Sequence, residues 1–362
     1  MYVGIAIILT VYSWGFVDRN SPLQTLSFLY ELVYEKRIFS GIVFSGMTIL
    51  FFAVYLRLLY LAQANKIKPA SVFRLLILIS VILVFSFPAF SNDIFNYIAT
   101  AKVTYLYQEN PYLVMPIEIP NESMLSFLHA SNKVALYGPV WILLTGIPHL
   151  LGAGNLLLTL FAFKVFVMAF YWGLTWLIWK MTRNLRSVVL FAFNPLVLTN
   201  TLIDGHNDIV MMFLAVMSFY LLTKRRFGLA AVFLLSSILI KGATVFLVPV
   251  FLWVVWRRTE RIDWQRVWYL CALSLYAIFF LSPLREEMYS WYFIWPLAFV
   301  ALRGSFDFLT LVSLAISLGL SFRFAPFAFT RNWGGRTPLI KNVVTIGPAV
   351  FTALWYAIRK KI

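Results

Sequence analysis

Four groups of polar side chains interrupt a chain of 362 residues that is otherwise strongly apolar. The first group starts at Asp93, which opens a set of residues at helical spacing: Asp93, Asn96, Tyr97, Thr100 and Thr104. A carboxylate at the end of an apolar run can act as a general base or acid at a membrane–water boundary. The alternative is that Asp93 caps the start of a helix, as Ser91 and Asn92 could also do.

The residues after Asp93 predict an amphipathic helix, because Ile94, Ile98 and Leu106 fall on the side opposite the polar ones. Such a helix is expected to lie along a membrane surface with its carboxylate facing water. Asn110-Pro111 should end it, since the residue before a proline is disfavoured in the helical region.

The second group lies between two apolar runs and contains Asp204, His206 and Asp208. The two carboxylates are one helical turn apart, and with His206 they could bind a divalent cation or contact a phosphate. The alternative is a polar turn made by Gly205, with Asn207 or Asp208 capping the next helix. The turn is favoured, and neither a metal ion nor another cofactor is expected.

The remaining two groups are single charges among apolar and aromatic residues. Lys241 lies in strongly apolar sequence, so its ammonium should either reach the membrane surface or bind an anion such as a lipid phosphate. Arg285 precedes Trp291 and Tyr292. This aromatic pair is typical of the belt at a membrane interface. In the functional alternative the rings stack on sugars and Arg285 binds a phosphate.

Composition defines the elements that must position these residues. The chain is 62% hydrophobic and 12% charged, whereas soluble domains are about 25% charged. Repeated apolar runs predict an all-α, polytopic membrane protein with about 11–13 transmembrane helices, forming one domain over residues 1–362. The net charge of +16 does not indicate nucleic-acid binding. Lys and Arg gather in short loops beside the apolar runs, where they set membrane topology.

Those basic loops assign the two sides of the membrane. Residues 57–74, 180–186, 224–226 and 257–266 are predicted to be cytoplasmic. The long loop of residues 92–136, together with residues 204–208 and 283–290, then faces the outer side, and long loops of this kind are usually functional. Residues 137–154 are predicted to enter the membrane and return as a hairpin broken at Pro148 and Gly152–Gly154, because a full crossing would reverse every later loop.

Short motifs between residues 90 and 300 resemble, in the same order, those of bacterial polyprenyl-phosphate-sugar-dependent mannosyltransferases of the GT-C class. They are Asp93-x-x-x-Tyr97, Ala101-Lys102-Val103, Asn110-Pro111-Tyr112, Tyr137-Gly138-Pro139, Asn194-Pro195-Leu196, Gly205-His206-Asn207-Asp208, the Ala230-to-Lys241 run and Trp291-Tyr292. The sequence departs from the family pattern at Asn92, where many relatives have a second acidic residue. It departs again at Gly138, which replaces the first proline of a Tyr-Pro-Pro motif.

The resemblance implies a membrane glycosyltransferase in which Asp93 deprotonates an acceptor hydroxyl. The implied donor is a polyprenyl-phosphate-linked hexose, expected to be mannose, and the acceptor is a glycan or glycolipid. Transfer would invert the anomeric centre on the outer face of a bacterial cytoplasmic membrane. The implied substrate-binding residues are Tyr97, Lys102, Asn110, Tyr112, Tyr137, Asp204, His206, Asn207, Asp208, Lys241, Arg285, Trp291 and Tyr292.

The competing function is a transporter or lipid-carrier flippase, in which buried charges would line a substrate path. The sequence shows no inverted repeat, and its polar groups gather on one predicted side rather than at mid-membrane. An enzyme is therefore favoured.

Overall fold

The protein folds into helices throughout the part of the chain that the computed structural model describes, residues 1–17, 23, 27–122, 124–128, 130–284 and 287–359. No β-strand occurs in these residues. The α-helices are α1 (Tyr2–Trp14), α2 (Ser27–Tyr30), α3 (Arg37–Gln63), α4 (Pro69–Val84), α5 (Asp93–Ala101), α6 (Pro139–Leu151), α7 (Leu156–Thr182), α8 (Leu185–Ala192), α9 (Pro195–Leu198), α10 (Asp208–Thr223), α11 (Phe227–Ile238), α12 (Val248–Trp256), α13 (Trp264–Leu281), α14 (Ile294–Arg303), α15 (Phe308–Ser321), α16 (Ala325–Thr330) and α17 (Thr337–Arg359).

Shorter turns connect or extend many of these helices. Three are π turns and five are 3₁₀ turns within the described residues: Glu31–Glu35, Lys102–Leu106 and Thr199–Ile203, then Pro116–Glu118, Leu125–Phe127, Gly242–Leu247, Ser282–Leu284 and Ser290–Phe293. Most of the polar groups singled out above lie at or beside such a break.

The helix lengths confirm a polytopic membrane protein. Five apolar helical segments in the described residues are long enough to cross a bilayer: Arg37–Gln63, Leu156–Thr182, Trp264–Leu284, Phe308–Thr330 and Thr337–Arg359. A sixth is the pair Leu185–Ala192 and Pro195–Ile203, if this pair, bent by 53°, counts as one span. Six further apolar helices have 10–17 residues, shorter than the roughly 20 that one crossing needs. Many apolar runs predicted as single spans are thus divided or shortened by breaks at polar residues.

The bend between α8 and α9 lies in the centre of the bundle, where every residue from Ser187 to Leu198 is buried. Pro195 ends the α8 hydrogen-bond pattern, so the last carbonyls of α8 need other donors. Tyrosine hydroxyls from three helices supply them: Tyr55 donates to the carbonyl of Leu190 at 2.8 Å, Tyr171 to that of Ala192 and Tyr2 to that of Phe193. A broken helix is stable in an apolar bundle when its carbonyls are satisfied in this way.

Helix α5 is formed as predicted, but protein covers the side that was expected to face a membrane surface. Both sides of the helix are buried, with Ile94 and Tyr97 fully so. The Tyr97 ring packs edge-on against Tyr137 and Trp141, at centroid distances of 4.7 and 5.0 Å. The helical spacing correctly indicated a polar side, but that side contacts protein. The helix also ends at Ala101, before Asn110-Pro111.

Residues 137–154 contain one helix, α6, and Pro148 lies inside it without ending it. The chain turns only after Leu151, and α6 packs against both α5 and α7. The N-terminus of α6 is held by backbone hydrogen bonds, from Gly138 to the carbonyl of Ile240 at 3.0 Å and from Val140 to that of Leu239 at 3.1 Å. A side chain at Gly138 would place its Cβ 2.1 Å from the Leu239 oxygen. Glycine is therefore required here. A proline would in addition lack the backbone N–H that donates to the carbonyl of Ile240.

Replacing Gly138 by alanine should lower the free energy of unfolding by about 1–3 kcal/mol, because the added Cβ overlaps a backbone oxygen that cannot move independently. Thermal unfolding in detergent, followed by tryptophan fluorescence, measures the effect. Gly46→Ala is the matched control, since its Cβ would have no neighbour within 4 Å and alanine is the better helix former. Equal stabilities of the two variants would contradict the close approach at Gly138.

Candidate active site

A cavity of about 1310 Å³ opens among the helix breaks. It exceeds the volume of about 300–1,000 Å³ that is usual for a site holding one small molecule. Seven of its lining residues carry the chemistry of interest: Asp93, Asn96, Tyr137, Asp204, Lys241, Trp291 and Tyr292. The structure therefore brings together residues from all four polar groups of the sequence.

Asp93 is the first residue of α5 and not its cap. The N-cap position belongs to Asn92, and the Asp93 backbone N–H donates to Ser91 Oγ at 3.3 Å. The Asp93 side chain is 28% exposed, and it reaches the cavity from the positive end of the helix dipole, where a negative charge is stabilised. A carboxylate in this position is accessible to a ligand.

His206 lies behind Asp93, fully buried, with its Nδ1 3.5 Å from Asp93 Oδ2. Its ring stacks on the indole of Trp291 at a centroid distance of 3.9 Å, and neither ring nitrogen makes a hydrogen bond to a described protein group. Burial and the nearby charge of Lys241 lower the pKa of His206 well below its usual value. A neutral imidazole at this distance can orient the carboxylate but supplies no charge for binding a phosphate.

Asp208 and Lys241 form an ion pair at the wall of the cavity. Lys241 Nζ lies 3.1 and 3.2 Å from the two oxygens of Asp208, and Trp295 Nε1 donates to Asp208 Oδ1 at 2.6 Å. Asp208 is fully buried, whereas the Lys241 side chain is 20% exposed. The anion expected beside Lys241 is thus a carboxylate of the protein itself, and the Lys241 ammonium still lines the cavity.

Asp204 has an environment different from that of Asp208. It is buried, and its Oδ1 accepts a hydrogen bond from the backbone N–H of Phe90 at 3.1 Å. Burial raises the pKa of Asp204 to about 8, although the Phe90 N–H and the charge of Lys164 act in the opposite direction. Asp204 and Asp208 thus have separate partners. Among the described residues no group of three His, Cys, Asp or Glu side chains is arranged to hold a metal ion.

The aromatic pair belongs to the cavity wall. Trp291 contacts His206 and also stacks on Tyr289 at 4.5 Å, while Tyr292 stacks on Trp295 at 4.4 Å. Lys241 Nζ lies 4.5 Å from the centre of the Tyr292 ring. The pair thus lines the cavity while contacting His206 and Lys241.

Other residues predicted to bind substrate lie outside the cavity lining. Tyr97 and Asn207 are buried together, with the Tyr97 hydroxyl 3.2 Å from Asn207 Oδ1. In the long loop of residues 92–136, Lys102 pairs with Glu122 at 2.6 Å. Glu122 also accepts a hydrogen bond from Tyr107 at 2.7 Å, so Lys102 helps to fix the loop.

Asn110 and Tyr112 have local roles in the same loop. Asn110 Oδ1 accepts from the Tyr112 backbone at 2.9 Å, and the Tyr112 hydroxyl donates to the carbonyl of Tyr137 at 2.9 Å. This second bond links the loop to the start of α6. Arg285 lies outside the described residues.

Some residues of the cavity were not predicted. Trp295 binds Asp208, and Glu287, Arg323 and Lys341 form a charged cluster on the same cavity. Arg323 carried a usable signal, because it is a lone charge within the apolar segment Phe308–Thr330, as Lys241 is within its own run. The pairing of Trp295 with Asp208 leaves no local sign in the sequence.

Comparison with known families gives one match. The family model described as MptA_B family, alpha-(1->6)-mannopyranosyltransferase, N-terminal domain, matches residues 1–257. That segment contains Asp93, Asp208 and Lys241 but ends before Trp291. Neither the curated proteins nor the solved structures give a match.

The pKa of Asp204 predicts how stability depends on pH. Since burial raises this pKa from 3.8 to about 8, the folded protein holds a proton that the unfolded chain loses. This contribution is complete below pH 3.8 and disappears as pH rises to about 8, at up to about 1.4 kcal/mol per pH unit. Asp204→Asn should therefore lose less stability than wild type between pH 5.5 and 8, by thermal unfolding. Glu109→Gln, which changes an exposed carboxylate, is the control and should follow the wild type. If the stability of Asp204→Asn changed with pH in parallel with that of the wild type, the assignment would be contradicted.

Proposed function

The chain belongs to the MptA_B family of alpha-(1->6)-mannopyranosyltransferases, and from this premise we propose a GT-C-type reaction at Asp93. The proposed enzyme moves mannose from a polyprenyl-phosphate donor to a glycan or glycolipid acceptor, with inversion. Membership of a mannosyltransferase family and several helices able to span a membrane agree with this function.

One observation carries the proposal: Asp93 presents a carboxylate to a cavity large enough for two substrates, with His206 behind it. In the proposed step the acceptor hydroxyl gives its proton to Asp93 while its oxygen attacks the anomeric carbon of mannose. The bond between that carbon and the phosphate oxygen breaks, and polyprenyl phosphate leaves with the electron pair. Attack opposite the leaving group inverts the centre, so a β-linked donor would give the α-linkage named in the family description.

The surroundings of Asp93 support its role as the base. His206 Nδ1 is 3.5 Å from the carboxylate, a distance that can shorten once substrate is bound. Stacking on Trp291 fixes the plane of the imidazole. The Lys241 ammonium, held by Asp208, lies on the same cavity and is available to the departing phosphate. No step in this scheme requires a metal ion.

Asp93→Asn should reduce the rate of mannose transfer by about 10²–10⁴-fold, the range that a general base contributes. The assay uses purified protein in lipid nanodiscs with synthetic polyprenyl-phosphate mannose and a short mannoside acceptor. Glu109→Gln, which removes an exposed carboxylate from the same loop, should transfer mannose at the wild-type rate. Full activity of the Asp93 variant would exclude it as the base. Transfer from a nucleotide-linked mannose, but not from the lipid-linked one, would exclude the proposed donor.

Labelling of single cysteines tests the proposed sidedness. Leu113 is 74% exposed on the long loop, so Leu113→Cys should react with a membrane-impermeant maleimide in intact cells. Lys66→Cys, on a predicted cytoplasmic loop, should react only after permeabilisation. The native Cys271 is buried and should stay unlabelled. Labelling of the Lys66 variant in intact cells, with protection of the Leu113 variant, would place the reaction on the opposite face.

A further inference from the structure

A second charged cluster lies on the cavity, separate from the Lys241–Asp208 pair. It joins the loop that follows α13 to the start of α16 and to α17. Glu287 Oε1 accepts from Arg323 Nη2 at 2.5 Å and also contacts Lys341 Nζ. All three residues line the cavity that Asp93 lines.

The cluster contains more positive than negative charge. Two cations share a single carboxylate oxygen, and the cations are the more buried partners, at 8% exposure for Arg323 and 11% for Lys341 against 40% for Glu287. Two cations held against one carboxylate oxygen repel each other. A second anion entering the cavity would relieve that repulsion and would gain charge-assisted hydrogen bonds.

The remaining contacts hold the cations in place and leave Glu287 the most easily displaced member. Arg323 Nη1 donates to Thr345 Oγ1 at 3.1 Å, and Lys341 Nζ lies 4.9 Å from the Trp333 ring centre. Glu287 lies in a loop between two 3₁₀ turns. A phosphate fits such a pair better than a neutral ligand does, because a guanidinium can contact two of its oxygens at once.

The position of the cluster connects it with the reaction centre. Phe324, next to Arg323, packs against Phe90 at a centroid distance of 4.8 Å. Phe90 in turn binds Asp204 through its backbone and lies three residues before Asp93. Lys241, by contrast, is held against Asp208 and Tyr292. The cavity therefore offers two distinct places for an anion.

We propose that Arg323 and Lys341, with Glu287 as an exchangeable counter-ion, form a second anion subsite that binds the phosphate group of a lipid-linked substrate. The inference rests on the proposed function for the identity of that substrate. The phosphate can come from the donor lipid or from a phosphorylated acceptor lipid, and both have the chemistry that the cluster recognises. These residues lie beyond the segment that the family model matches.

Equilibrium binding to the full chain in nanodiscs tests the subsite without turnover. The probes are polyprenyl monophosphate and a phosphorylated mannolipid, each compared with its phosphate-free form. Arg323→Gln and Lys341→Gln should weaken binding of at least one phosphate lipid by about tenfold or more and leave both phosphate-free forms unaffected. Glu287→Gln should strengthen it. The matched control is Arg336→Gln, an exposed cation outside the cavity lining, which should bind as wild type.

The kinetics of sugar transfer then identify the source of the phosphate. A higher KM for the donor alone assigns the donor phosphate, and a higher KM for the phosphorylated acceptor alone assigns the acceptor. Arg323→Lys should recover part of the loss, and Lys341→Gln keeps the test decisive if the Arg323 variants are unstable. Unchanged binding of both phosphate lipids, or a loss of kcat with every KM unchanged, would overturn the subsite. Absence of transfer by the wild type would overturn the proposed function and leave the binding result intact.

Discussion

The ion pair between Asp208 and Lys241 is the interaction on which the site depends. Asp208 is fully buried at the start of α10, so its charge requires both the ammonium of Lys241 and the indole N–H of Trp295. Loss of one partner from a buried pair costs about 3–5 kcal/mol. The pair connects α10, the break after α11 and, through Trp295, the start of α14. His206 lies two residues before α10, and Tyr292 lies two residues before α14. The pair therefore holds Lys241 in the cavity lining.

Residues at the breaks of several apolar helices line the same cavity. The breaks lie near residues 86–92, 193–207, 239–247 and 282–293. An interrupted helix leaves carbonyl and N–H groups that lipid cannot satisfy, so irregular backbone persists only where protein or a polar cavity covers it. Tyr55 and Tyr171 meet that requirement at the central bend, and Gly138 meets it by docking α6 on residues 239–240. Many of the polar side chains that line the site belong to residues at or beside these breaks.

Sequence reasoning was most successful where the signal was local. Composition predicted an all-α membrane protein, and single charges in apolar runs identified Asp93 and Lys241 as unusual. The partners of those residues could not be predicted from the sequence. Contacts such as that of Trp295 with Asp208 join distant segments and have no characteristic spacing. For α5, the helical pattern defined a polar side without showing whether water or protein covers it. Arg323, like Lys241, is a lone charge in an apolar run, so its importance was predictable from the sequence.

The central claim is that Asp93 takes the proton of an acceptor hydroxyl while a lipid-linked mannose occupies the same cavity. A structure of the Asp93→Asn protein with polyprenyl-phosphate mannose and an acceptor bound tests it most directly. We expect an acceptor hydroxyl within about 2.6–3.2 Å of the side chain at position 93, with the anomeric carbon beyond it and the phosphate on the far side of the sugar. An acceptor hydroxyl held instead by Asp208 or Asp204, or a donor bound outside this cavity, would contradict it.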